Sequence, residues 1–188
     1  MTILCGLDYS INSPGLCIYD TEKDLTFENL LLYNKNDKKK YSGIFKNIEI
    51  VTQAPYSCNE ERYKNTASWA FEIIKKNKVD FVCMEGYAMG SSAGQVFNIA
   101  ENTSVIKQLM FDNNIPFIVP SPKTVKKHFT GSGNANKNLM VDTFEKRFCV
   151  SIAEIISQTN KYTSPTNDMV DSVAMMLYGL DYLKENNK

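Results

Sequence analysis

The sequence predicts an α/β fold: a mixed five-stranded sheet, with a three-strand antiparallel meander and two parallel strands, flanked by helices. Two observations support this prediction. Three short apolar runs joined by turns open the chain, and two later apolar runs are separated and followed by segments of helical periodicity. The 188 residues are 43% hydrophobic and 22% charged, which is ordinary for a globular protein, and we expect one domain over residues 1–188.

The first part of the chain predicts the meander. ILCGLD is an apolar run with a β-branched start, and the turn signal NSPG follows it closely. GLCIYD predicts the second strand and LTFENLLLY the third. Connections this short join neighbouring antiparallel strands. The polar stretch from Asn34 to Asn59 is expected to be a loop, with its lysine-rich segment NKNDKKK exposed to solvent.

The remaining chain predicts two more strands among helices. NEERYKNTASWAFEIIKK, with acids early and lysines late, predicts the first helix. VDFVCME predicts a fourth strand that ends at Glu85, and IPFIVPS predicts a fifth. The long helical pattern SAGQVFNIAENTSVIKQLMFDNN joins them, so these strands should be parallel with a right-handed crossover. PKTVKKHF and NLMVDTFEKRF predict helices on either side of the loop TGSGNANK, and a nearly all-apolar helix begins near Asp168.

The distribution of charge is more informative than its sum. Formal net charge is zero, which does not indicate a nucleic-acid-binding protein. The stretch from Ile115 to Met140, however, carries four lysines and no acid. These lysines are Lys123, Lys126, Lys127 and Lys137. Such a stretch usually forms a solvated face; in a nucleic-acid-binding protein these lysines would contact backbone phosphates.

Cysteine usage and hydropathy predict a cytoplasmic protein. The five cysteines include no CxxC pair, and His128 has no cysteine partner at zinc-ligand spacing. An odd number of cysteines, mostly in apolar runs, indicates reduced thiols. No apolar run reaches the length of a membrane span, and MTILCGLDYS lacks the regions of a signal peptide, so we expect no membrane association. The bias toward Asn, Lys, Ile and Tyr is typical of an AT-rich genome, such as that of a phage or virus acting in its host's cytoplasm.

Four acidic residues stand where the predicted sheet would bring them together. Asp8 ends the first strand, Glu85 ends the fourth, and Asp168 and Asp171 share one face at the head of the last helix. If the two strands are neighbours, both carboxylates lie beyond their carboxyl ends, where α/β sheets form sites. Four acids repel one another unless divalent cations neutralise them, and oxygen ligands favour Mg²⁺ or Mn²⁺. Two such ions can support phosphodiester cleavage.

Each acid also has an ordinary structural explanation. Asp168 could cap the last helix by accepting hydrogen bonds from first-turn amides. Asp171 would then lie in the first turn, where the helix dipole favours negative charge. Asp8 could bond to the backbone of its own turn, and Glu85 could begin a solvated loop.

Several segments resemble, in the expected order, the RuvC-like Holliday-junction resolvases of the ribonuclease-H-like nuclease superfamily. They are GLDYSINSPGLCIYD, VCMEGYAMGSSAGQVFNIAENTSVIKQ, VPSPKTVKKHFTGSGNANKNLMVDTF and NDMVDSVAMM. The similarity extends from Ile3 to about Leu180. It implies a ribonuclease-H-like fold and a crossover junction endonuclease that cuts four-way DNA junctions by metal-dependent hydrolysis, in paired symmetric nicks.

The resemblance also implies roles for individual residues. The family's four metal-binding acids correspond to Asp8, Glu85, Asp168 and Asp171, and they would hold two Mg²⁺ or Mn²⁺ ions. A catalytic lysine in the family's glycine-rich segment corresponds to Lys137.

Other positions match the family less closely. Tyr87 is the nearest match to an aromatic residue that probes the junction core in the family. Ser10 stands where the family often has glycine, which leaves the shape of that turn in doubt. The segment from Lys35 to Lys40 has no counterpart in the family that we can align.

A two-fold homodimer is the expected assembly. A four-way junction has two-fold symmetry and needs two like nicks, whereas the chain predicts one carboxylate cluster. We expect the interface on the exposed flank of the helix Ser91–Asn113, whose apolar positions exceed one core stripe. These positions are Val96, Phe97, Ile99, Val105, Ile106, Leu109, Met110 and Phe111.

Other functions stay open at this point. DYSINSPG before a hairpin resembles the phosphate loop of actin-like and sugar-kinase ATPases, but the chain is too short for their second lobe. TGSGNANK resembles a P-loop superficially, yet it follows an amphipathic helix and has Asn138 after Lys137. Among nucleases, cleavage of RNA–DNA hybrids is an alternative. A non-catalytic junction-binding module is another, although phosphates would be bound by lysines rather than by four carboxylates.

Overall fold

The computed structural model describes residues 1–86 and 93–186. Within them, seven strands form one sheet in the order β4-β5-β3-β2-β1-β6-β7. The strands are β1 (Ile3–Asp8), β2 (Gly15–Asp20), β3 (Leu30–Asn36), β4 (Gly43–Phe45), β5 (Ile48–Thr52), β6 (Phe81–Met84) and β7 (Phe117–Ile118). The helices are α1 (Asn59–Lys76), α2 (Ala93–Asp112), α3 (Pro122–Thr130), α4 (Lys137–Phe148), α5 (Ile152–Ile155) and α6 (Thr166–Asn186).

The predicted fold class is confirmed, but the predicted number of five strands is wrong. The antiparallel meander β1-β2-β3 and the parallel pairs of β6 with β1 and β7 are present. Strands β4 and β5 lie in the stretch that the sequence predicts to be a loop, with β5 parallel to β3 and β4 antiparallel to β5. Only Ile48 and Ile50 alternate as buried residues in β5, a pattern too short to distinguish a strand from a loop.

Five strands point in one direction. Strands β1, β6 and β7 are mutually parallel, and β3 is parallel to β1 because each is antiparallel to the β2 strand between them. Strand β5 is parallel to β3. The carboxyl ends of β1, β3, β5, β6 and β7 therefore lie along one side of the sheet, which we call the carboxyl edge. Connections that leave this edge can contribute side chains to a common site.

Helices cover both faces of the sheet. Leu4 packs into a cluster with α3, α4, α5 and α6, whereas Cys5 and Leu7 pack into a second cluster with α1 and α2. Side chains alternate between the faces of a strand, so Gly6 and Asp8 lie on the face that carries α6. The last residue of β1 is thus aimed toward α6 rather than toward α1 and α2.

Helix α6 approaches β1 more closely than a side chain would allow. A Cβ atom on Gly6 would lie 2.0 Å from the carbonyl oxygen of Ser172 and 2.3 Å from the backbone nitrogen of Met176. Those atoms belong to the helix backbone and cannot rotate away. Glycine is required at this position because the backbones of strand and helix are in contact.

Within the described residues, no helix is long and apolar enough to cross a membrane.

We expect Gly6→Ala to destabilise the fold by about 3 kcal/mol or more, because the added methyl group would force α6 away from the sheet. The measurement is the free energy of unfolding from urea denaturation. Gly131→Ala is the matched control: its φ of 83° costs about 1 kcal/mol in an L-residue, but its Cβ would meet no atom within 4 Å. Equal losses in the two variants would contradict the close approach.

Candidate metal centre

Pairing of β1 with β6 brings Asp8 and Glu85 side by side. Leu7 and Met84 are partners in the parallel ladder, and the Glu85 amide donates to the Leu7 carbonyl at 3.1 Å. Asp8 and Glu85 directly follow this pair, so they lie side by side at the ends of neighbouring strands. Cys83 packs on the α6 face, so the alternation along β6 also directs Glu85 toward that face.

The first turns of α6 bring Asp168 and Asp171 to the same place. Gly15 is the cross-strand partner of Asp8, and a Cβ on Gly15 would lie 2.5 Å from the carbonyl oxygen of Asp168. The backbone of Asp168 thus touches β2 directly beside Asp8. Asp171 follows three residues later, on the same face of the helix. The sheet and α6 together gather all four predicted acids.

The four carboxylates influence one another through space. Burial raises the pKa of Asp8 well above its usual range, and Glu85, Asp171 and Asp168 raise it further. Burial, then Glu85 and Asp168, raises the pKa of Asp171 to about 7. Burial also raises the pKa values of Glu85 and Asp168. Without a cation, this centre favours protonated carboxyl groups over a cluster of four negative charges.

The donor set fits a hard divalent cation, although it does not form a closed cage. No group of three or more acidic, histidine or cysteine side chains stands in metal-chelating geometry within residues 1–86 and 93–186. Mg²⁺ does not require such a cage, because it usually keeps several waters and binds through one or two carboxylates together with substrate phosphates. Four carboxylates that do not converge on a single point can bind Mg²⁺ in this way, because the ion needs only one or two of them as direct ligands.

Asp168 differs from the other acids in its hydrogen bonds. Its Oδ2 accepts a hydrogen bond from Ser164 Oγ at 2.5 Å, and Ser164 Oγ lies 2.6 Å from Ser13 Oγ. Asn34 donates to Ser13 Oγ at 3.1 Å, and Asn36 donates to Asn34 Oδ1 at 2.6 Å. Burial has the larger effect and raises the pKa of Asp168, while the hydroxyl groups of Ser13 and Ser164 lower it. Sequence analysis missed this chain of groups, because Ser13 and Ser164 are 151 positions apart and no motif links them.

Two of the predicted lysines act on the carboxylates. Although burial has the largest effect on each pKa, Lys137 opposes it at Asp8 and Asp171. Lys126 opposes it at Glu85 and Asp171. Lys137 is the first residue of α4, and Lys126 lies in α3. Both cations are therefore close enough to offset negative charge at the centre.

The structure links the other residues predicted to contact DNA less closely to the four carboxylates. Lys123 and Lys127 are exposed on α3, the helix that carries Lys126. The predicted junction-probing residue, Tyr87, lies outside the described residues.

A cleft of about 640 Å³ opens over the centre. Residues 9–13, which link β1 to β2, form part of its wall, together with residues of α1, α2 and α4. The charged side chains that line it are Asp37, Lys38, Arg62, Glu85, Lys137 and Asp168. Acidic and basic side chains therefore face the same space.

Part of the sequence is similar to a curated protein. No family model matches the chain. Over 70 residues the chain is 37% identical to the crossover junction endodeoxyribonuclease RuvC of Brachyspira hyodysenteriae. The matched segment covers 37% of this chain and 44% of that protein, so it spans less than half of the relative's length.

Comparison of structures covers nearly the whole chain. The fold is similar to that of Thermus thermophilus RuvC in complex with a Holliday junction substrate, with a TM-score of 0.68 and 15% identity over 99% of this chain and 97% of that one. It is also similar to the yeast mitochondrial Holliday junction resolvase, with a TM-score of 0.56 and 14% identity over 98% and 84% of the two chains. The resemblance to the RuvC-like resolvases is therefore confirmed, and the chain has the ribonuclease-H-like fold of that group.

Proposed function

We propose that this protein is a metal-dependent endonuclease that resolves four-way DNA junctions. The observation that carries the proposal is the convergence of Asp8, Glu85, Asp168 and Asp171 at the carboxyl edge, beneath a cleft that Lys137 also lines. The curated relative is a crossover junction endodeoxyribonuclease, and a similar solved structure holds a Holliday junction. Both support the same substrate class.

In the proposed phosphodiester hydrolysis, the acidic and basic residues have different roles. The four carboxylates would hold Mg²⁺ or Mn²⁺, with two ions in the working site. Bound there, the ions would supply an activated water and stabilise the leaving oxygen. Lys137 enters the same cleft and would offset charge that develops on the scissile phosphate. Lys123, Lys126 and Lys127 would hold neighbouring phosphates of the backbone.

We also infer that the protein works in a reducing compartment such as the cytoplasm. Five cysteines are free, and Cys5, Cys17 and Cys83 are buried in the core. Free thiols persist where disulfides do not form.

We expect the rate of cleavage to fall by more than about a hundredfold in each of three variants, Asp8→Asn, Glu85→Gln and Asp171→Asn. Loss of a residue that only hydrogen-bonds to a metal ligand already reduces activity by about tenfold to a hundredfold, and these residues are the proposed ligands themselves. Junction binding should persist, because cations and not these acids hold the phosphates. The assay measures cleavage by purified protein with Mg²⁺ of four substrates: a four-way junction, a duplex, a flap and an RNA–DNA hybrid. A variant that loses binding yet cuts normally at saturating protein would reject the metal assignment. Preferential cutting of the hybrid would instead favour a ribonuclease H activity.

Asp171→Asn should stabilise the metal-free protein at pH 8. The unfolded carboxyl ionises near pH 4, but the folded one keeps its proton up to about pH 7, so stability falls as pH rises between these values. The asparagine variant avoids that loss and should be more stable by about 1–3 kcal/mol at pH 8, allowing for partial solvent screening, with no such gain at pH 4. Urea denaturation at the two pH values measures the difference.

Mg²⁺ provides the complementary measurement. Because the ion binds the folded carboxylates, it should raise the melting temperature of wild type more than that of Asp171→Asn. A first-turn acid that only complements the helix dipole would behave differently. Its replacement by asparagine would cost about 0.3–1 kcal/mol whether or not metal is present.

We further propose a homodimer that uses the outer face of α2. Phe97 is 70% exposed and Phe111 is 73% exposed. They are about four turns apart and so lie on one side of the helix. Ile106 and Met110 of the same helix are fully buried and belong to its core stripe, so the proposed interface uses the exposed positions.

Light scattering with and without junction DNA tests the assembly. Wild type should be dimeric, and a Phe97→Ser, Phe111→Ser double variant should shift toward monomer, since it removes large apolar area from the interface. Ile44→Ser on β4 is the matched control, because Ile44 is also exposed (79%) but lies away from α2. A wild-type protein that stays monomeric and still makes paired nicks within one complex would refute the dimer.

A further inference from the structure

We propose that Lys38 and Arg62 form a second phosphate-binding wall, which holds the DNA strand on the β3 side of the carboxylates. The wall lies on the β3 side of β1, whereas α3, which carries three of the lysines expected from the sequence, follows β7 on the other side. The inference names DNA as the ligand and in that respect rests on the proposed nuclease function.

Lys38 is fixed at the cleft by buried neighbours. Its amide donates to the side-chain oxygen of Asn36 at 2.7 Å, and Asn36 is 1% exposed at the end of β3. Its Nζ donates to the carbonyl of Ser164 at 3.0 Å, while the hydroxyl of Ser164 binds Asp168. The ammonium group of Lys38 is therefore linked through Ser164 to Asp168, a candidate metal ligand. Most of the Lys38 side chain is nevertheless exposed to solvent.

Arg62 is held on the same wall by contacts that leave its charge unpaired. Its guanidinium donates to the side-chain oxygen of Asn12 and lies over the ring of Tyr56, with 4.9 Å between the guanidinium carbon and the ring centroid. Its Nε has no hydrogen-bond partner in the described part of the chain. A guanidinium has five N–H donors suited to phosphate oxygens, and few of these donors are used within the protein.

Neither cation pairs with a carboxylate among residues 1–86 and 93–186. Lys161, by contrast, pairs with both Asp142 and Glu145 away from the cleft. Asp37 is the acid on this wall, so the wall keeps an excess of positive charge. An unpaired cation fixed beside an anionic centre is suited to a mobile polyanion that must approach that centre.

The topology sets the spacing between the two walls and the acids. Strand β3 is two positions from β1 in the sheet, on the side opposite β6 and β7. At about 4.8 Å per strand, the residues after β3 lie roughly 10 Å from the end of β1. A DNA strand laid along the carboxyl edge would therefore meet basic groups on both sides of Asp8 and Glu85, within a few nucleotides of the scissile phosphate.

Neighbouring lysines supply matched controls. Lys40 is in the same lysine-rich segment, but its Nζ lies over the Tyr41 ring, 4.7 Å from the centroid. Lys64 is exposed on α1, two residues after Arg62. Neither side chain lines the cleft. If net charge alone governed affinity, all four positions would contribute equally.

The test is the salt dependence of binding to a synthetic four-way DNA junction, measured in EDTA with the full chain. Lys38→Gln and Arg62→Gln should each reduce the slope of log K against log salt by about 0.9 and weaken binding on the order of fivefold to tenfold near 0.1 M salt. Lys40→Gln and Lys64→Gln should leave the slope at the wild-type value. Thermal melting confirms that each variant is folded, and Arg62→Met, which also removes the charge, replaces Arg62→Gln if the latter is not.

Two results would overturn the inference: slopes for Lys38→Gln and Arg62→Gln that equal the wild-type slope, or equal reductions in all four variants. Because no cleavage is measured, this series is independent of the proposed reaction. A wild type that binds the junction with these slopes but does not cut it would contradict the nuclease function and leave the wall supported.

Discussion

The contact of helix α6 with strands β1 and β2 is the constraint on which the candidate centre depends. Gly6 and Gly15 bring helix and strand backbones within a distance that excludes any Cβ atom. This approach buries the apolar side of α6 in the core and sets its first two turns beside the end of β1. The element that contributes most to packing thus also carries half of the carboxylates, so core packing and site geometry cannot vary independently.

Asp168 and Asp171 share a helix turn but have different surroundings. Asp168 accepts a hydrogen bond from Ser164, and this contact continues through Ser13 to the buried asparagines of β3. The pKa of Asp171 is raised to about 7 by burial and by the other acids. Asp168 is therefore held in a fixed orientation, whereas Asp171 would gain more than Asp168 from a bound cation. The polar chain also connects the carboxylates to the loop that carries Lys38.

Features with strong local signals could be predicted from the sequence. Asp8 and Glu85 each end an apolar run, and the parallel pairing of β6 with β7 follows from the helix between them. The pairing of β1 with β6, which brings Asp8 and Glu85 together, has to be assumed from the sequence alone, because it joins segments far apart in the sequence. The last helix has an unbroken apolar pattern that placed Asp168 and Asp171 at its start. Strands β4 and β5 could not be predicted, because a five-residue strand with two buried side chains is supported by its pairing with β3 rather than by its own pattern. The position of Lys38 depends on the same long-range pairing, so the sequence alone indicates only a solvated segment there.

The two ends of the sheet limit how copies of this chain can associate. The outermost strands, β4 and β7, have three and two residues. Strands this short offer few unpaired backbone groups to an incoming strand, which is one way in which natural sheets avoid open-ended growth. Continuation of the sheet from one molecule into the next is therefore disfavoured, and self-association is directed to the helical faces. Contacts between such faces can close after two copies, whereas contacts between strand edges propagate into fibres.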